Sequence, residues 1–319
     1  MIPIVMAIDN NYLIPSLVVI VSALKNKNHD TLYKFFFLIS NNFSNANKTV
    51  IARILREKSV NYSFINIDER YTNNTIFISH TSQATFYRLM IPELLSIDRC
   101  IYLDSDLIVL DDLSSFYHQI EDSKMILGVK AATYYWPESS RRKKAEYLKI
   151  EKLDTYINAG VLVLNLKLMR QMNIIEKFSQ LQGCDFVGQD QDIINCACYG
   201  YIQIASPKFN SMTKYRNDRI SSYDSVLLPC ISKCYTREEW KDACIAPVII
   251  HYADFEKPWN SNVPFFELWW HYLKEVDIHY KCYDNVRNLY AINKKSLIDK
   301  APLKIKLIKH LIKGYFFSD

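Results

Sequence analysis

Glycine is scarce in this chain. Six glycines among 319 residues is roughly 2%, against about 7% in an average protein. That argues against folds built on repeated glycine-rich phosphate loops. Neither GxGxxG nor GxxxxGK[ST] occurs, so dinucleotide-binding dehydrogenases and P-loop enzymes lose their main support. If the chain binds a phosphate, a metal or basic side chains must do what glycine backbone does elsewhere.

Paired cysteines are missing too. Cys100, Cys184, Cys196, Cys198, Cys230, Cys234, Cys244 and Cys282 include no CxxC. A chain of this length buries a core without disulfides, so free thiols in a cytoplasmic protein are expected. Cys230, Cys234 and Cys244 are three conceivable metal ligands, but their spacing is not a usual zinc pattern. No run reaches the ~18 apolar residues of a membrane span. The apolar stretch from Ile14 to Leu24 resembles a signal-peptide core, yet no Lys or Arg precedes it. It reads as a buried helix. Net charge is also small, +5 from 39 basic and 34 acidic residues, too light a footprint for a nucleic-acid binder.

What is present is globular: 49% apolar and 23% charged residues. The length suits two domains, or one large α/β domain with an appendage. Apolar runs at Ile2–Ile8, Leu32–Ile39, Tyr62–Ile67 and Arg99–Leu103 read as buried strands. Between them lie helical patterns from Pro15, over Asn45–Lys58 and over Ala84–Leu95, the last interrupted near Pro92. This rhythm predicts a parallel sheet with helices on it. Further strands are expected at Leu107–Leu110, Met125–Val129, Ala159–Leu166 and Val248–Ile250, and helices at Lys167–Leu181, Asp190–Tyr199 and Pro264–Val276. Residues 137–151 carry many charges and read as solvated.

Ligands of such sheets bind outside the C-terminal strand ends. Asp9 and Asp104 both stand there. Asp104-Ser105-Asp106 is the sharpest feature. Two carboxylates at i and i+2 beyond a buried strand can face one hard cation such as Mg²⁺ or Mn²⁺; a polar turn capping a helix would look the same. His251 also ends a strand, and Lys257-Pro258-Trp259 follows it. An imidazole beside two carboxylates makes a mixed N/O site that suits Mn²⁺ better than Mg²⁺. Lys257 could meet a phosphate as a point charge. Gln189-Asp190-Gln191-Asp192 opens a helix, where acids are ordinarily capping residues. Thr85-Phe86-Tyr87-Arg88 and Asn158-Ala159-Gly160 complete the set.

In this order, Met6-Ala7-Ile8-Asp9-Asn10-Asn11-Tyr12, Thr85-Phe86-Tyr87-Arg88-Leu89, Tyr102-Leu103-Asp104-Ser105-Asp106, Asn158-Ala159-Gly160-Val161, Gln189-Asp190-Gln191-Asp192 and His251-Tyr252…Lys257-Pro258-Trp259 resemble the family 8 glycosyltransferases. The likeness is to bacterial lipopolysaccharide and lipooligosaccharide galactosyl- and glucosyltransferases, and it covers about residues 1–275. The resemblance implies a GT-A fold, a Rossmann-like nucleotide-binding α/β domain whose mixed central sheet is flanked by helices. It implies a UDP-hexose donor (UDP-galactose or UDP-glucose), Mn²⁺ with Mg²⁺ as a substitute, transfer with retention, and a glycan or glycolipid acceptor. By the same match Asp104, Asp106 and His251 would bind the metal and Lys257 the diphosphate. Asp9 and Asn11 would contact the uridine, and Ala7, Ile8, Tyr12 and Ser105 would join the nucleotide contacts. Arg88, Asn158, Asp190 and Gln191 would line the donor sugar and form the catalytic set. Gln191 is an amide and a poor nucleophile, so same-face transfer is favoured, with Gln191 stabilising the oxocarbenium-like state.

Two segments depart from the family. Tyr252-Ala253-Asp254-Phe255-Glu256 carries two acids where related enzymes often have glycine. Ala131-Ala132 stands where lipooligosaccharide enzymes can carry an Asp. Two other functions are kept beside the transferase: a non-catalytic UDP-sugar-binding relative, and a carboxylate-metal sugar nucleotidyltransferase. The second would need a glycine-rich loop after the first strand, and Asp9-Asn10-Asn11-Tyr12-Leu13 has no glycine.

The net charge is concentrated. Residues 291–319 hold seven Lys and two Asp, while residues 1–290 hold equal numbers of basic and acidic groups. From Pro302 a helix would gather Leu303, Leu307, Ile308, Leu311, Ile312 and Tyr315 on one side and Lys306, Lys309 and Lys313 opposite, with Lys304 an exception. That is the pattern of an interfacial helix on an anionic leaflet; a helix packed on the domain with a solvated lysine face shares it. The expected organisation is a catalytic domain over 1–278 (donor side about 1–110, acceptor side about 111–278) and a basic helical tail over 279–319. The expected location is cytoplasmic, at the inner-membrane surface.

Overall fold

The computed structural model describes residues 1–67, 84–132, 137–182, 184, 186–215, 223 and 230–280. The basic segment from residue 281, with the helix expected from Pro302, lies outside these residues. The described strands are β1 (Ile2–Ala7), β2 (Tyr33–Ser40), β3 (Asn61–Ile67), β4 (Arg99–Leu103), β5 (Leu107–Val109), β6 (Ile126–Lys130), β7 (Ile157–Asn165), β8 (Ile202–Ile204), β9 (Ser211–Met212) and β10 (Ile249–His251). The chain forms two compact units and passes between them several times, once between Ser105 and Asp106.

The first unit comprises Met1–Leu13, Asp30–Ser105 and Leu113–Ala205. Its seven-stranded sheet runs β3-β2-β1-β4-β7-β6-β8. The first four strands in that order are parallel, as the β-α-β rhythm predicts, although β3 at the sheet edge is only half-buried along most of its length. β7 is antiparallel to both β4 and β6, which makes the sheet mixed. β8 pairs parallel with β6. The pairs Ile4↔Ile101 and Val5↔Tyr102 align the C-terminal ends of β1 and β4. β2 lies on one side of β1 and β4 on the other, so Asp9 and Asp104 leave the sheet at its topological switch point.

The helices of this unit differ from expectation in three places. Ala84–Leu95 is not one helix: Ala84–Tyr87, a 3₁₀ turn Arg88–Met90, and Ile91–Leu94 follow one another. Pro92 sits in the first turn of the last piece, where its missing N–H costs nothing. Lys167–Leu181 likewise divides into Leu166–Gln171 and Ile174–Gln182, with Asn173 at φ 50° between them. Residues 137–151, solvated by composition, contain the helix Glu138–Leu148, which buries Ala145 and Leu148. The helix Asn45–Glu57 is as predicted; Ser44 caps it by accepting from the Asn47 N–H, and Ile51, Ile54 and Leu55 are buried.

The second unit comprises Ile14–His29, Asp106–Asp112 and the chain from Ser206. Its sheet runs β5-β10-β9, with β10 antiparallel to β5 and parallel to β9. The helix Leu13–Asn26 is buried over most of its length, as its apolar run predicts. It is tied to β5: Ser22 Oγ accepts from the Val109 N–H at 3.0 Å, and Asn26 Nδ2 donates to the Val109 carbonyl at 2.9 Å. Thr236 and Glu239 form a capping box on Arg237–Ile245. The helix Phe266–His279 buries Trp269, Trp270 and Tyr272, and the Trp270 indole N–H donates to the Pro258 carbonyl at 2.8 Å. Among the described residues no helix is long and apolar enough to cross a membrane.

Candidate active site

In the first unit the residues expected to meet a nucleotide begin where β1 ends. Ala7 closes the strand, Ile8 is buried, and Asp9 Oδ1 accepts from the N–H groups of Asn11 (2.8 Å) and Tyr12 (3.0 Å). Asp9 therefore caps the 3₁₀ turn Asn10–Tyr12 and fixes its direction. Asn10 joins that turn to the end of β2, donating to the Asn42 carbonyl and accepting from the Ser44 backbone N–H and the Asn47 side-chain amide Nδ2.

Arg88 is the centre of the unit's charge. The 3₁₀ turn delivers it inward, and it is 9% exposed. Its Nη2 lies 2.9 Å from Asp104 Oδ1 and its Nε 2.9 Å from Asp190 Oδ2. Nη1 donates to the Ala159 carbonyl at 2.6 Å, and Nε donates to the Thr85 carbonyl at 3.1 Å. With Nε aimed at Thr85, the Asp190 contact is one of charge, and Asp190 Oδ2 has no aligned donor. The guanidinium lies 4.6 Å from the Tyr102 ring centre. Burial opposes its charge, but Asp104 and Asp190 outweigh that and raise its pKa. The Asp190 carboxyl is pushed up to about 6; burial is the main cause, Arg88 opposes it and Asp104 adds to it.

Asp104 is held at both ends of the residue. Its N–H donates to the Gly160 carbonyl at 2.8 Å, prolonging the β4–β7 pairing by one step. Its Oδ1 accepts from the Tyr102 hydroxyl at 2.9 Å, besides facing Arg88. Ser105, next in the chain, is buried.

Asn158 and Gln191 meet as well. Gln191 Oε1 accepts from Asn158 Nδ2 (3.1 Å) and from the Ala159 N–H (3.2 Å), while Gln191 Nε2 donates to the Tyr156 hydroxyl at 3.0 Å. The helix Gln189–Ala197 that carries Asp190 and Gln191 is clamped to β7 by Asn195, whose amide exchanges hydrogen bonds with the Ile157 backbone.

The second unit holds Asp106, His251 and Lys257 together. The Tyr252 N–H donates to the Asp106 carbonyl at 2.9 Å, so Asp106 is fixed as a continuation of the β5–β10 pairing. His251 Nε2 lies 3.1 Å from Asp106 Oδ1, and His251 Nδ1 lies 2.9 Å from Asn210 Oδ1. Lys257 Nζ donates to Asp106 Oδ2 at 2.6 Å and to the Tyr252 carbonyl at 2.8 Å. Burial would raise the Asp106 pKa, but His251 and Lys257 override it and hold the carboxyl well below the usual carboxylate range. Asp254 and Glu256, the acids that depart from the family pattern, are exposed.

Several partners carry no signal in the sequence. Tyr102, Tyr156 and Asn210 bond Asp104, Gln191 and His251 directly, and Lys144 and Asp192 stand behind Tyr156. Asp192 has the sequence position of a capping acid, but it is wholly buried. Lys144 belongs to the charge-rich segment expected to be solvated, yet lies 2.7 Å from Asp192 Oδ1. The cysteine alternative fails: among the described residues Cys230, Cys234 and Cys244 do not gather into a ligand cluster, and none of the three is in a disulfide.

Residues 3–263 match the family model described as "Glycosyl transferase family 8". General stress protein A of Bacillus subtilis is 26% identical over 280 residues, 85% of this chain and 92% of that protein. Lipopolysaccharide 1,2-glucosyltransferase of Escherichia coli K12 is 25% identical over 261 residues, 80% of this chain and 71% of that protein. Among solved structures, galactosyltransferase LgtC in complex with donor and acceptor sugar analogs superimposes with a TM-score of 0.69 at 24% identity, covering 86% of this chain and 96% of that one. The bifunctional glycosyltransferase WbbM in its apo form gives 0.73 at 23% identity; the match covers 89% of this chain and 51% of that one. The mixed sheet with its flanking helices is the GT-A fold.

Proposed function

The chain belongs to glycosyl transferase family 8, and from that premise we propose that it moves galactose or glucose from a UDP-sugar to a hydroxyl of a cell-surface glycan such as lipopolysaccharide. The transfer retains anomeric configuration and needs a divalent cation, Mn²⁺ by preference. The names of the E. coli and LgtC relatives support that donor and acceptor class.

The carrying observation is the pairing of His251 with Asp106. Asn210 Oδ1 can only accept, so His251 Nδ1 bears the proton on that side. Nε2 faces Asp106 Oδ1 at 3.1 Å, and in the neutral tautomer that nitrogen presents its lone pair. Two acceptors at that distance need a proton or a cation between them. A neutral imidazole oriented through its other nitrogen is the usual state of a metal-bound histidine. Asp104, Asp106 and His251 are the proposed ligands, an N/O donor set that suits Mn²⁺. A cation there supplies positive charge to the diphosphate leaving group.

The remaining roles fall to side chains. Lys257 exchanges its contact with Asp106 for the diphosphate, adding charge where the leaving group becomes negative. Asp9, Asn11 and the segment Ala7–Tyr12 take the uridine, with Ser105. Arg88 fixes Asp104 and Asp190, and Asp190 accepts from a donor hydroxyl. Gln191 has its amide oxygen engaged by two donors, which supports same-face transfer over attack by that oxygen. The seven lysines of residues 291–319 support a location at the cytoplasmic face of the membrane, where the proposed acceptor would be met.

Incubating purified protein with UDP-galactose or UDP-glucose and Mn²⁺ tests the reading. UDP release that stops on chelation supports it. Neither UDP release nor UDP binding would mean a chain without transferase chemistry.

A further inference from the structure

Beneath Gln191 lies a buried polar set that none of the proposed donor or metal contacts uses. Asp192 is fully buried, and Tyr156 is 1% exposed. The Asp192 carboxylate is met by three donor groups. Lys144 Nζ approaches Oδ1 at 2.7 Å and Oδ2 at 2.8 Å, the Gly188 N–H donates to Oδ2 at 2.8 Å, and the Tyr156 hydroxyl donates to Oδ1. A carboxylate that only accepts, beside an ammonium, obliges the Tyr156 hydroxyl to spend its one proton there. The phenol oxygen is left as an acceptor, and it takes Gln191 Nε2. At the other end the Ala159 N–H, a backbone donor, holds Gln191 Oε1. The direction of every bond from Lys144 to Gln191 is thereby fixed. Glycine at 188 belongs to the same device, since a Cβ there would lie 2.6 Å from the Asp192 carboxylate.

We propose that Lys144, Asp192 and Tyr156 are positioning residues that clamp the Gln191 amide in a single orientation for transfer, because the Lys144–Asp192–Tyr156 chain leaves only an acceptor facing Gln191 Nε2. The clamp rests on the assignment of Gln191 to the donor sugar. A misplacement of about 1 Å in a catalytic constellation can cost on the order of 100-fold, so a clamp of this kind acts on turnover. It leaves untouched the residues proposed to bind UDP.

The test uses the full chain with Mn²⁺ and UDP-hexose. Tyr156→Phe should lower kcat by about 10- to 100-fold with donor affinity unchanged. Asp192→Asn should do the same, and Lys144→Arg should retain activity that Lys144→Met loses. Introduced into Gln191→Ala, Tyr156→Phe should add no further loss. A second readout needs no turnover: the side-chain amide resonance of Gln191, assigned by its disappearance in Gln191→Ala, should be slow to exchange in the wild type and fast in Tyr156→Phe. If Tyr156→Phe and Asp192→Asn leave both kcat and the Gln191 signal unchanged, or change only thermal stability, the clamp is wrong. If the amide signal responds while no UDP-sugar is turned over by the wild type, the clamp stands and the transferase reading fails.

Discussion

Lys257 Nζ donates to Asp106 Oδ2 at 2.6 Å, so the lysine proposed to serve the diphosphate is engaged by a carboxylate proposed to serve the metal. The two cations compete for one oxygen. Lys257→Met should therefore bind free Mn²⁺ more tightly than the wild type while binding the UDP-sugar more weakly. Calorimetric titration of each, separately, checks the pair of signs. Weaker Mn²⁺ binding in the variant would show that Lys257 does not oppose the metal.

Asn210 selects the tautomer of His251 from 2.9 Å. Partners of this kind typically contribute 10- to 100-fold in metal affinity or activity. Asn210→Ala should lose about that factor in Mn²⁺ affinity, with the segment proposed to bind UDP untouched. Titration with Mn²⁺ at constant pH measures it; equal affinity would leave Asn210 without a role at the metal.

Arg88 is a structural charge as well as one proposed to serve the donor sugar. Removing it leaves Asp104 and Asp190, the latter buried, without their cation. Breaking a buried pair costs about 3–5 kcal/mol, and the partly exposed Asp104 places Arg88→Met toward the lower end. Lysine will not substitute, since one ammonium cannot reach both carboxylates and the Thr85 and Ala159 carbonyls. Urea denaturation of Arg88→Met and Arg88→Lys tests both statements.

Asp190 gives a pH dependence with a definite sign. Its carboxyl is raised from 3.8 to about 6, chiefly by burial. The folded state thus keeps this proton when the unfolded state has lost it. The stability contribution of the proton is full below 3.8 and disappears as pH rises through about 6. Relative to Asp190→Asn, the wild type should lose stability over that window. Ionised Asp190 is the form proposed to accept from the donor, so transfer should fall as pH drops below about 6. Denaturation and pH-rate profiles of the two proteins check this together. Parallel stability curves would reject the raised pKa.

The cysteines separate by exposure. Cys184 is exposed, whereas Cys100 and Cys198 are buried and burial pushes both thiols up, Cys198 to about 12. Of these three, Cys184 should react with a thiol reagent in the native protein and the other two only after unfolding. Peptide mapping of the labelled protein decides it.

The sheet and the ends of its strands are legible in the amino-acid sequence. β1, β2 and β4 are short apolar runs buried on both faces, and such runs announce themselves. Their order puts Asp9 and Asp104 at strand ends, and the β1–β4 register brings those ends into line. The reversal of β7 is not legible, because a strand buried on both faces has the same pattern whichever way it runs. Arg88 is legible as a residue type but not as a buried bridge, since a 3₁₀ turn inside a helical pattern leaves no compositional mark. Lys144 and Asp192 escape for a related reason. They lie 48 residues apart, and each alone looks like an ordinary surface charge or helix cap. Tyr102, Tyr156 and Asn210 act only through their partners, so nothing local distinguishes them.

The central claim is that Asp104, Asp106 and His251 hold the cation on which hexose transfer from a UDP-sugar depends. The most direct measurement is UDP release from UDP-galactose and UDP-glucose by wild type, Asp104→Asn and Asp106→Asn, with Mn²⁺ and with chelator, each protein first shown to be folded. The prediction is Mn²⁺-dependent release by the wild type with at least one donor and its abolition in both folded variants. Full activity in either variant, or release by the wild type that chelation leaves unchanged, would contradict it.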